Sequence, residues 1–393
     1  MRSLPSPAAI VTRSFTTAHQ EFPATTRLRR RHIQLWYSRL VNPTNRANRC
    51  RPRALPTLAY AMLLLACGLK PAVAATEPES PPTGAFTADG RSTLEQLSNR
   101  YQSLSTEHGW QMETVYQYPG TDAPAIRAWR TTHRGEALWI LAGIHGEEPA
   151  GPNAIAAHLQ SIIELAASGV PIVVIPLCNP KAYRSNWRYP NTSERDWQKG
   201  GYSVGDAEYL LADTTTGDRP RAAGPPGPET KALTEFVLRL AKTYPPRLVL
   251  DLHEDELSTD GGYIYSQGSR AQDNPVGAEV IRLLRESGIP IRQSGRTRFD
   301  EPIVDGVISR DDKGQPIRDG SIDELLAANE IFVDGKKASG PAAGTVIVVE
   351  TPAFAGSRFD LRVAAQGAVV QHVRELWQLS DPRPDVRQVI DNQ

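Results

Sequence analysis

Four continuous apolar runs, ALWILAGI (137–144), PIVVIPL (171–177), RLVLDL (247–252) and TVIVVE (345–350), constrain this chain more than any other feature. Runs this short, apolar at nearly every position, read as strands covered on both faces. Between and after them, Pro149 to Ala167 and residues 229–243, 275–287 and 360–378 carry apolar residues at helical spacing. A helix at 93–108 and strands METVYQY and AIRAWRTT, joined by the turn-rich PGTDAP, come first; a strand GGYIYS follows RLVLDL. Such alternation predicts an α/β fold: a single domain with a mixed, mostly parallel, twisted sheet and helices on both faces. Two Gly/Pro/Asp-rich stretches, 188–228 and 294–342, exceed simple connectors, and loops of that size usually shape a site.

The formal net charge of zero hides a division. Residues 1–53 hold eleven Arg, no Lys and one acidic residue, Glu21, whereas from Ala75 onward 32 basic residues face 43 acidic ones. A body this acidic is a poor partner for nucleic acid. No stretch after residue 75 is apolar for long enough to span a bilayer. The apolar run Ala54 to Leu69, preceded by the Arg-rich segment and followed by Ala72-Val73-Ala74, has the order of a secretory signal cleaved before Ala75. A membrane anchor is the alternative reading, and Leu64-Leu65-Ala66-Cys67 also fits a lipoprotein signal that would leave a lipid anchor on Cys67. The expected organisation is therefore a basic extension plus signal (1–74), a Pro/Gly/Ser-rich linker (75–92), a folded body (93–380) and a tail (381–393). Export places the mature body in the periplasm or outside the cell. There Cys178 is the sole cysteine, so no internal disulfide forms; within its apolar run it reads as a buried small hydrophobe.

The pattern His-x-x-Glu occurs four times, at His133/Glu136, His145/Glu148, His253/Glu256 and His372/Glu375, so the pattern alone decides nothing. Position does. His145 follows a buried strand and precedes a helix, and His253 ends another buried strand; ligands of open α/β sheets bind at such carboxyl ends. His133 reads as part of a hairpin turn and His372 as part of an amphipathic helix, both solvated. Two imidazoles and one carboxylate, His145, His253 and Glu148, form a catalytic zinc set with a fourth position open. Glu350 ends the last buried strand, where a charged side chain is costly unless paired or functional. It is the candidate base that moves a proton from water to a leaving nitrogen. Motifs for other plans (H-E-x-x-H, G-x-S-x-G, G-x-x-x-x-G-K, G-x-G-x-x-G) are missing.

GIHGEEPAG, CNPKAYRSNWRYPN, LDLHEDE and VVETPA, in this order over residues 95–378, resemble the zinc carboxypeptidases and the related murein-peptide amidases and succinylglutamate desuccinylase and aspartoacylase group. The resemblance implies one Zn2+ per chain on His145, Glu148 and His253, with Glu350 catalytic. It also implies that Arg188 polarises the scissile carbonyl beside the metal, a task suited to an always-charged, forked donor. One segment departs from the pattern. The family's Asp-x-Asn-Arg, whose last two residues hold a substrate carboxylate, corresponds here to Asp206-Ala207-Glu208-Tyr209. Asp206 matches the family's histidine-buttressing aspartate, while Glu208 and Tyr209 replace the carboxylate clamp, with Arg195 and Arg298 as substitute cations. No tyrosine before Glu350 matches the family's substrate-site tyrosine; Tyr263 and Tyr265 read as strand residues. The expected activity is zinc-dependent amide or peptide hydrolysis outside the cytoplasm, on peptides such as those of the cell wall, with atypical carboxylate recognition. The alternatives are a deacylase of N-acyl amino acids and a zinc-retaining binding protein without turnover.

Overall fold

A computed structural model describes residues 87–122, 124–192, 200–268, 270–354 and 357–382. The expected signal, Cys67, Arg195, most of the linker and all but the first two residues of the tail lie outside the described residues. In chain order the elements are α1 (Leu94–Thr106), β1 (Gln111–Tyr116), β2 (Ile126–Arg130), β3 (Ala137–Ala142), α2 (Ala150–Ala157), α3 (Leu159–Ala167), β4 (Ile172–Ile175) and α4 (Pro180–Ser185). Then come α5 (Pro228–Ala241), β5 (Pro246–Asp255), β6 (Tyr263–Gly268), α6 (Pro275–Glu286), β7 (Ser294–Arg296), β8 (Pro302–Val304) and β9 (Val307–Ile308). The chain closes with α7 (Ile322–Ala327), β10 (Glu330–Val333), β11 (Lys336–Ser339), β12 (Thr345–Pro352), α8 (Phe359–Gln371) and α9 (Val373–Leu379).

Ten strands form one mixed sheet in the order β1-β2-β4-β3-β5-β12-β6-β9-β8-β7. Its centre, β4-β3-β5-β12, is parallel, and the antiparallel pairings lie to either side. The four apolar runs are these four central strands, as a sheet covered on both faces requires. Leu138, Ile140, Leu248, Leu250, Leu252, Ile347 and Val349 face a core shared with α1, α2, α3, α6, α8 and α9. Trp139, Leu141, Val249 and Val346 face the other side, covered by α5 and α7. On β5 and β12 that second face changes character toward the strand ends, where Asp251, His253 and Glu350 replace aliphatic residues. The site therefore lies on the less covered face.

Local chemistry explains the helix limits. Thr93 accepts from the backbone N–H of Gln96, whose side chain answers on Thr93 N, a capping box that starts α1. Asn274 caps α6 ahead of Pro275. Two expected single helices are interrupted: 149–167 breaks at His158 and 360–378 at His372, both with non-helical backbone. His372 Nδ1 lies 2.8 Å from the carbonyl of Ala368, which also accepts the backbone N–H of His372 (3.1 Å). The turn holding His133 is also no hairpin. β2 and β3 do not pair with each other, because β4 inserts between them. The long segment 294–342 contains β7 to β9, α7 and the small sheet β10-β11 rather than unstructured loop.

Candidate metal centre

From β3 the chain runs through α2 and α3 to β4 on one side, and β5 then adds on the other side of β3. The order reverses between β3 and β5, the position where ligands of open α/β sheets bind. His145 follows β3 and His253 lies near the end of β5, so the two imidazoles flank that crevice.

The GIHGEEPAG segment is shaped by its glycines. Gly143, at φ +64°, turns the chain out of β3 in a conformation L side chains rarely adopt. At Gly146 a Cβ would lie 2.1 Å from the backbone carbonyl carbon of Ala182, so the loop rests directly on α4. Asn179 joins these pieces: its side chain accepts from Ala182 N (3.1 Å) and donates to the carbonyls of Ile144 (3.2 Å) and Arg188 (3.3 Å). One buried amide thus ties the His145 loop to the segment that carries Arg188. Buried Arg91 adds bonds to the carbonyls of Gly146 (2.9 Å) and Tyr183 (3.1 Å). Gly146→Ala is expected to destabilise the fold by about 1–3 kcal/mol through overpacking, read from urea unfolding. An unchanged midpoint would show that the loop yields without cost.

His145, Glu148 and His253 converge with ligand atoms all within 4.8 Å of one another. Among the described residues this is the one His/Cys/Asp/Glu group close enough to hold a metal ion. His145 Nδ1 lies 2.7 Å from Glu148 Oε1 and His253 Nδ1 lies 2.9 Å from Oε2, so both rings aim the same nitrogen at one carboxylate. Burial, helped by the Arg188 charge, lowers the pKa of His145 to about 4, whereas at His253 burial acts the same way but the Asp251 and Glu148 carboxylates outweigh it and raise the pKa well above the usual imidazole range. Burial opposes the charge of Glu148, but the two histidines outweigh it and hold the carboxyl well below its usual range. A donor set of two Nδ1 atoms and a carboxylate, buried and convergent, fits a divalent metal ion of borderline softness.

Arg188 Nη1 donates to Glu148 Oε1 (3.0 Å) and Glu147 Oε1 (3.2 Å), placing a guanidinium at the edge of the cluster. Glu350 pairs in register with His253 across the parallel β5–β12 ladder and with Tyr263 across the antiparallel β12–β6 ladder. It is half-buried, and its side chain makes no hydrogen bond or ion pair among the described residues. Burial pushes its pKa well above the carboxylate norm. Behind the ligands, Gln366 of α8 donates to His253 O and Thr351 Oγ1, both at 2.8 Å, locking the ends of β5 and β12 together. Glu254 accepts from Ala150 N at the start of α2 (2.8 Å) and from buried Arg362, capping a helix that lacks a cap of its own.

A cleft of about 340 Å³ opens from the cluster, lined by Glu350, Val348, Tyr263 and Tyr265 on the sheet, by Asp206, Asp319 and Arg298 from the loops and by Asp323 of α7. Asp206 accepts from Ser203 N (2.9 Å), and burial raises its pKa to about 6; among the described residues it makes no hydrogen bond to His145 or His253. Glu208 and Tyr209 do not line the cleft. Glu208 is exposed, and the Tyr209 hydroxyl sits 2.5 Å from Thr234 Oγ1 on α5. Tyr263 and Tyr265 are strand residues as expected, yet both face the cleft, their hydroxyls donating to Asp255 and Glu301 at 2.8 Å. Of the other His-x-x-Glu pairs, His133 and Glu256 are exposed and His372 sits at the α8–α9 break. Asp251, Glu254, Gln366, Asp319 and Asp323 were not singled out by sequence. For Asp251 a signal existed: a carboxylate two residues before His253 on a strand must share its face.

No family model matches the sequence, and no curated protein matches it. Among solved structures, a candidate metallopeptidase from Shewanella baltica OS155 aligns with TM-score 0.55 at 21% identity, over 72% of this chain and 92% of that one. Similar proteins from Shewanella amazonensis SB2B (TM-score 0.54, 20% identity, 72% and 92% covered) and Shewanella denitrificans OS217 (0.52, 20%, 71% and 88%) align likewise. At this identity the likeness is one of fold, and the chain has the α/β fold of these candidate metallopeptidases.

Proposed function

We propose that this chain is a zinc-dependent amide or peptide hydrolase of the metallocarboxypeptidase type, acting on peptides outside the cytoplasm, with residues 93–380 as its catalytic body. One observation carries the reading: strand register sets an unpartnered carboxylate, Glu350, beside His253 of a buried two-histidine, one-carboxylate cluster. His145, Glu148 and His253 would hold the ion. When bound, zinc supplies a Lewis acid for the scissile carbonyl and lowers the pKa of water toward neutrality. Glu350 takes the proton of the attacking water and delivers it to the leaving nitrogen. Arg188 donates to the oxyanion that develops on the carbonyl.

Asp206, Asp319 and Asp323 in the cleft weigh against the deacylase alternative, because N-succinyl or N-acetyl-aspartate substrates would bring further carboxylates among them. A free, pKa-raised Glu350 weighs against a binding protein without turnover, since metal retention needs no base. With Glu208 exposed and Tyr209 bound to Thr234, a terminal carboxylate has Arg188 and Arg298 as the cleft-lining cations available to it.

The test is metal analysis of the purified protein with a screen of peptide, muropeptide and N-acyl amino-acid hydrolysis. The expected outcome is one zinc per chain, and hydrolysis that disappears with a chelator and returns with Zn2+. A protein that binds no zinc, or hydrolysis indifferent to chelation, would overturn the reading.

A further inference from the structure

Asp251 is an unusual residue for its place. It sits in the middle of β5 between Leu141 of β3 and Val348 of β12, is 1% exposed, and neither carboxylate oxygen has a hydrogen-bond partner. A buried carboxylate left this way costs several kcal/mol on transfer from water unless a cation or N–H faces it. The neighbouring thiol of Cys178 does not serve, because its Sγ is directed at the carbonyl of Ile175 (3.6 Å). Asp323, across the same region, is another acid, and its Oδ2 accepts from Gln267 (3.3 Å). Among the described residues the one donor within ion-pair distance is His253: its Nε2 lies 3.3 Å from Asp251 Oδ1, while its Nδ1 faces Glu148.

We infer that Asp251 is a positioning residue for the metal ligand His253. Its carboxylate faces Nε2–H as the acceptor, favours the Nε2–H tautomer of the ring, and so leaves the Nδ1 lone pair directed at the ion. The inference rests on the metal reading above. Its physical basis is general: a ligand imidazole is oriented and made more basic by the group that holds its other nitrogen. Strand geometry supplies the alignment at no further cost, since residues two apart on β5 share one face.

The test compares wild type with Asp251→Asn and Asp251→Leu. Asparagine keeps an acceptor of the same shape without the charge; leucine removes both. Zinc affinity is measured by competition with a chromophoric chelator, and 15N-histidine-labelled, zinc-loaded protein reports the protection of the His253 Nε2 proton. We expect about a 10- to 100-fold loss of affinity in the leucine variant and a smaller loss in the asparagine variant. The Nε2 proton should stay protected in wild type and asparagine variant and exchange rapidly in the leucine variant. A purely structural role would lower the unfolding midpoint without moving affinity or proton protection. Wild type that binds zinc together with a leucine variant of equal affinity overturns this inference alone. Wild type without zinc affinity overturns the metal reading and this inference with it.

Discussion

Replacing Glu350 by glutamine is expected to lower the rate of hydrolysis by about 10²- to 10⁴-fold, the usual contribution of a positioned acid–base group, with zinc affinity almost unchanged. The placement is set by the sheet, since β12 and β5 run parallel in a register that opposes Glu350 to His253. A strand-borne group is held more rigidly than one on a loop, so the carboxylate does not need a hydrogen bond to fix it. Its freedom from partners leaves both oxygens available to a water or a leaving nitrogen. Burial raises its pKa, with the nearby Glu148 acting in the same direction and His253 against it. A base with a raised pKa gains driving force for taking a proton. Glutamine keeps the volume and cannot accept that proton. Assays of turnover and zinc content on the same preparation separate the two effects; wild-type turnover in the glutamine variant would remove Glu350 from the chemistry.

The sequence made the centre of the sheet legible because apolar runs at 137–144, 171–177, 247–252 and 345–350 have no stable place except between two layers. The same logic marked His145, His253 and Glu350, since polar residues that end such strands collect at one edge of the sheet. Three kinds of information were hidden. Asp206, Glu208 and Tyr209 lie in an irregular segment, where spacing gives no direction: Asp206 turns to the cleft, Glu208 to solvent and Tyr209 to α5. The helix breaks at His158 and His372 have no Pro or Gly at the break to announce them. Contacts between distant segments, such as Gln366 on His253 or Arg362 on Glu254, carry no local pattern at all.

The last of these contacts leads to the second large effect. Arg362→Met is expected to destabilise the chain by about 3–5 kcal/mol, the cost of breaking a buried ion pair by removing one partner. Arg362 and Glu254 are both buried, and Glu254 is also the group that receives Ala150 N at the start of α2. Without the guanidinium, Glu254 must stay charged in an apolar setting or take up a proton; burial already raises its pKa to about 7. Its backbone N–H lies 3.3 Å from Glu148 Oε2, so any shift of this segment reaches the metal cluster, and zinc affinity should fall with stability. The double variant Glu254→Gln/Arg362→Met provides the check. Glutamine can still accept from Ala150 N and buries no charge, so the double variant should be more stable than Arg362→Met alone, the non-additivity expected of partners in direct contact. Urea unfolding of the four proteins gives the coupling. A loss below about 1 kcal/mol in Arg362→Met, a surface-pair magnitude, would mean that the pair does not hold α2, α8 and β5 together at the site.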